Sequence, residues 1–125
     1  MRATIVAAMI FALAPAGPAV AGEWSLRLGD MRLEGISVDE SVAGDTYYLG
    51  LTSEFAWFTF SFPADDGRRP ESARALKVNL NGFEPDIRCT GIGADGLRLA
   101  GNRLSGSVVC SLPGGELALE AQFGN

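Results

Sequence analysis

After residue 23, apolar and polar residues alternate with a period of two along most of the chain, the pattern of strands buried on one face. Trp24, Leu26 and Leu28 alternate with Ser25, Arg27 and Gly29, and Met31 and Leu33 resume the pattern beyond a turn at Gly29 and Asp30. The phase slips at Gly35, with Ile36 and Val38 apolar one place later, which predicts a β-bulge. Residues 39–45 read as a loop. Residues 46–51 and 55–62 hold most of the aromatic side chains among β-forming neighbours and are predicted as central strands.

Phe58, Phe60 and Phe62 share one phase of that second strand, whereas Phe55 and Trp57 lie in the other. Core packing on one face with a loop or edge on the other is one reading. The sharper one is an exposed patch or groove formed by Phe55, Trp57 and a nearby tyrosine, and burial of Trp57 decides between them. Pro63 ends the strand, a charged connection follows over 64–72, and residues 70–75 offer at most one helical turn. Leu76, Val78 and Leu80 then alternate with Lys77, Asn79 and Asn81, a half-exposed strand with an amide-rich, cationic outer face.

The last third carries the clearest alternation: Ile87 with Cys89, then Val108, Cys110 and Leu112, then Leu117, Leu119, Ala121 and Phe123. Turn signals at 94–96, 100–102 and 113–115 mark a series of hairpins. The expectation is an all-β fold: a single antiparallel β-sandwich or small flattened barrel of about eight strands, with one disulfide.

Cys89 and Cys110 are the only cysteines, both in the inward phase. A bridge needs Cα atoms roughly 4.4–6.8 Å apart, while strands two places apart lie about 9.5 Å apart, so a flat three-strand meander through residues 97–99 is excluded. Either the cysteine strands face each other across two layers, which is slightly favoured, or they pair directly and residues 94–105 form an excursion from their hairpin.

The first residues change the picture of where this domain works. Arg2, an apolar run over 5–13, and Ala19, Val20 and Ala21 have the three-part layout of a secretory signal peptide with cleavage after Ala21. Residues 1–21 are thus expected to be removed and 22–125 to form a single all-β domain, periplasmic or secreted. The apolar run is too short for a spanning helix, so no membrane span is expected after cleavage. Arg2 leaves with the leader, so the net charge of −5 becomes −6, without a long run of either sign. That balance argues against nucleic acid as a partner.

Candidate chemistry is sparse. There is no histidine, which removes the commonest general base and most transition-metal sites. Gly91, Gly93 and Gly96 spell GxGxxG, but the flanking alternation is that of strands, not of a βαβ unit. Lys77 has no serine at a telling offset. Asp39, Glu40, Asp45 and Glu54 could supply a carboxylate pair for glycoside cleavage, and Asp39, Glu40, Asp45, Asp65 and Asp66 could supply oxygen ligands, without the spacing of a calcium loop. No catalytic residue, metal ligand or cofactor is assigned.

The expectation is therefore a non-enzymatic exported domain that binds a protein partner or a small ligand. Its candidate surface is Tyr47, Tyr48, Phe55 and Trp57 with the loop residues Arg68 and Arg69. The alternatives are a structural or inhibitory protein docking by an edge strand or loop, and a small carboxylate-dependent hydrolase.

Overall fold

A computed structural model describes residues 23–124; the expected leader lies outside the described residues. Ten strands follow in order: β1 (Trp24–Leu28), β2 (Met31–Gly35), β3 (Ser37–Ala43), β4 (Thr46–Thr52), β5 (Ala56–Pro63), β6 (Ser72–Arg74), β7 (Lys77–Gly82), β8 (Ile87–Ala100), β9 (Arg103–Leu112) and β10 (Gly115–Phe123). All pairings are antiparallel, in the order β2-β1-β10-β9-β8-β7-β5-β4-β3, and the sheet is nearly closed into a barrel. The short β6 lies off this path and pairs with the far half of β8, through Ser72–Ala100 and Ala73–Leu99.

Closure follows from the chain itself. The first and last strands of the sheet order, β2 and β3, are consecutive and separated only by Ile36. Gly35 pairs with Trp24 on β1, whereas Ser37 pairs with Thr52 on β4, so one bent strand serves both margins of the sheet. The Trp24 indole crosses this seam and donates its Nε1–H to the Thr52 carbonyl oxygen at 2.9 Å. Gly35 is required there, because a Cβ would overlap the Trp24 ring. The phase slip at Gly35 is thus a change of pairing partner. Residues 39–45, expected as a loop, lie largely in β3, whose mostly exposed edge position hides the usual alternation. The helical turn expected over 70–75 is replaced by β6, because Ser72–Arg74 finds a free stretch of β8 to pair with.

Inward residues fill the barrel. Trp24, Leu26, Leu28, Tyr47, Leu49, Leu51, Phe58, Phe60 and Phe62 are all buried, as are Val78, Leu80, Leu97, Leu99, Val108 and Phe123. Trp24 meets Phe58 edge to face at 5.5 Å between centroids, and Tyr47 lies 5.9 Å from Phe62. The interior is a packed core.

Cys89 and Cys110 are direct register partners on β8 and β9, joined with Cα atoms 3.9 Å apart. The favoured two-layer placement is therefore corrected to the direct pairing. Its error lay in taking residues 94–96 as a chain reversal. The register runs from Ile92–Val108 to Leu97–Gly106, so residues 93–96 oppose Ser107 alone and bulge from a continuous strand. Glu116 Oε2 holds the bulge, accepting from the Ala94 N–H at 3.0 Å and the Ser107 hydroxyl at 2.9 Å.

Candidate functional site

Alternation along β4, β5 and β7 sends Leu49, Phe58 and Leu80 inward and their neighbours outward. Three transverse rows therefore lie in the outward phase across β3, β4, β5 and β7: Ser37–Thr52–Trp57–Asn81, Asp39–Gly50–Thr59–Asn79 and Ser41–Tyr48–Ser61–Lys77, of which Ser61 alone is buried. Only Asp39 and Lys77, on the outermost strands of this wall, carry charge. The remainder are hydroxyl, amide, aromatic or glycine.

Trp57 is 46% exposed, as are Phe55 and Tyr48, which favours the exposed-patch reading of the aromatic strand. Phe55 sits in the β4–β5 connection and Phe83 in the β7–β8 connection, and the Phe83 N–H donates to the Phe55 carbonyl at 2.9 Å. That bond ties the two turns together. Phe83 then stands nearly perpendicular to Phe55, at 6.4 Å, and steeply inclined to Trp57, at 5.6 Å. Next to it, Glu84 has φ 62°, a left-handed conformation that is costly for a residue with a side chain. Such strain collects where a surface is held for use.

The other candidate residues separate. Tyr48 shares the outer wall with Trp57 but lies four residues along the strand direction, roughly 14 Å away at about 3.4 Å per residue. Tyr47 points into the barrel and is buried, so it is no part of an exposed surface. Its hydroxyl donates to Glu40 Oε1 at 2.6 Å, and Arg69 Nε donates to the same oxygen at 2.7 Å. Arg69 also donates to the Gly101 carbonyl and to Asn102 Oδ1, and its guanidinium lies over the Tyr47 and Phe123 rings. This arginine pins the 64–71 connection over one mouth of the barrel. Burial, then the Glu40 hydrogen bond, pushes the Tyr47 phenol well above its usual range. Burial alone would lower the Arg69 value, but the Glu40 and Tyr47 interactions outweigh it and raise it. Arg68 is exposed, with only its backbone bridged to Asp65.

The four acids considered for glycoside cleavage are spread out. Asp39 and Glu40 alternate to opposite faces of β3, and Asp45 and Glu54 occupy turns at opposite ends of β4. Among the described residues no group of three or more His, Cys, Asp or Glu side chains is placed to hold a metal, and no helix is long and apolar enough to cross a membrane.

Phe83 was not legible as a site residue, since the sequence places it in a turn with no alternation to orient it. A large aromatic directly after Gly82 and before Glu84-Pro85 was the available signal. Gly50 was missed for a related reason: in sequence it looks like another β-region glycine. No protein-family model, curated protein or solved structure matches this chain.

Proposed function

We propose that this protein is an exported, non-enzymatic recognition domain that binds through the outside of its barrel wall around Trp57, in the periplasm or outside the cell. The observation that carries the reading is the contact cluster of Phe55, Trp57 and Phe83, three aromatic rings each more than two-fifths exposed and held by two tied turns. Large aromatics left half in water while fixed by their neighbours are typical anchors of binding surfaces. The barrel interior is filled by side chains, which favours a ligand on the wall over one inside. The disulfide is consistent with a protein that resides outside the cytoplasm, and the leader-like start supports export. The absence of histidine supports a binding role over a catalytic one.

The test is a photoreactive phenylalanine analogue at position 83 in the full chain, irradiated in the cells that export it. A discrete adduct that disappears with Trp57→Ala supports the reading. An adduct pattern equal to that from the same probe at Glu120, on the β10 wall, overturns it.

A further inference from the structure

Gly50 sits in the middle of β4, where glycine has no backbone duty. Its φ is not in the left-handed region, and an added Cβ would meet only Asp39, at 3.8 Å from Cβ and 3.9 Å from the carbonyl oxygen, ordinary contact distances. A glycine within a strand weakens it and often marks close approach by another molecule. Gly35, by contrast, is required to clear Trp24. The missing side chain at Gly50 leaves a bare floor, with Thr59 opposite, between Trp57 in one row and Tyr48 in the next but one.

Beside this floor stand Asn79 and Asn81, joined by a hydrogen bond from Asn81 Nδ2 to Asn79 Oδ1 at 2.6 Å. Whichever way the amides are turned, that pairing leaves donor capacity on one and acceptor capacity on the other. A ligand meeting this surface finds two exposed aromatic side chains roughly 14 Å apart along the strands, a floor without bulk, and paired amides and hydroxyls along the side. Within the three rows charge is confined to Asp39 and Lys77, and the next strand sets Arg88 beside Asn81.

We infer that this wall binds a neutral oligosaccharide, laid along β4 and β5 with one ring against Trp57 and another toward Tyr48. Sugar rings combine apolar C–H faces, which suit aromatic rings, with hydroxyls that both donate and accept, which suit paired amides. The Gly50–Thr59 floor itself holds no charge for an acidic or basic ligand to meet; charge stands only around it. The inference rests on the recognition reading above and assigns its ligand class.

The experiment uses the oxidised full chain on an immobilised panel of neutral and charged oligosaccharides. Retention on neutral glycans is expected, unchanged between roughly 0.05 and 0.5 M salt because no ion pair is formed. Trp57→Ala should weaken it at least about tenfold, the loss of one stacking platform. Gly50→Val should weaken it by a similar factor while leaving the thermal midpoint equal or higher, which separates a blocked floor from a damaged fold. Retention confined to charged glycans, retention of neutral glycans indifferent to both substitutions, or no neutral retention overturns the inference. In those cases a Trp57-dependent protein adduct from the position 83 probe leaves the recognition reading standing; its absence removes both.

Discussion

Two outer walls of the same barrel meet at the Ile36 bend and differ in chemistry. On β2, β1 and β10 the outward rows include Arg32–Arg27–Glu120 and Glu34–Ser25–Gln122, a mixed-charge surface with an Arg27–Glu120 pair at 2.6 Å. On β3, β4, β5 and β7 the outward rows are aromatic, amide and hydroxyl, with charge only at the margins. Both walls cover one shared core, in which Leu26 and Ala121 follow the same inward alternation as Leu49 and Phe60. Inward positions are therefore answerable to folding alone. What distinguishes the walls is left to the outward positions, where side chains cost the fold little and can be shaped for a partner.

If the shared core carries stability and the walls do not, the largest effect belongs to Phe58→Ala. Phe58 is fully buried and packs on Trp24 at the seam, so its truncation should cost roughly 3–5 kcal/mol in urea unfolding. Replacing Cys89 and Cys110 together by alanine should cost about 3 kcal/mol, since the bridge closes a separation of 21 residues. A loss below about 1 kcal/mol would show that the β8–β9 hairpin holds its register without the bridge. Gly35→Ala should cost roughly 2–3 kcal/mol, because the new methyl must displace the Trp24 ring from its bond to Thr52. Unchanged stability there would mean that the seam between the walls is looser than its contacts indicate.

A smaller effect tests the barrel mouth. The fold favours the neutral Tyr47 phenol, so its contribution is complete below the unfolded phenol's pKa of roughly 10 and is lost as the pH rises above it. Unfolding free energy measured between about pH 9 and 11.5 should therefore fall with pH, and fall less steeply in Tyr47→Phe. Parallel slopes in the two proteins would show that burial and the Glu40 hydrogen bond do not hold the Tyr47 phenol neutral. The smallest effect belongs to the charged wall: Arg27→Ala breaks an exposed ion pair and should change stability by less than about 0.5 kcal/mol. That substitution should also leave ligand retention intact, whereas Trp57→Ala should weaken it. Equal losses from both would erase the distinction between the walls.

Local alternation made much of this readable in advance. The inward phase of Trp24, Leu26, Phe58, Phe60, Phe62, Val78, Leu80, Leu119 and both cysteines follows from successive residues of an extended chain pointing to opposite faces, whereas the sequence reads Tyr47 as surface and leaves the exposure of Trp57 open. The amide-rich outer face of β7 was legible for the same reason. Strands with one exposed face and no regular contrast were not legible, so β3 looked like a loop until its pairing with β4 was known. The bulge over 93–96 resembled a turn because glycine serves both, and only the partner strand tells them apart.

The sequence by itself determined an all-β chain with one inward-facing cysteine pair, because side-chain period is a property of neighbouring residues. Tertiary structure alone decided which strands adjoin. It placed Cys110 directly beside Cys89, bent one strand at Ile36 to serve both margins of the sheet, and brought Phe83 from a distant turn against Phe55 and Trp57. Those juxtapositions depend on strand order and register, which are settled by the packing of the whole barrel rather than by any stretch of it.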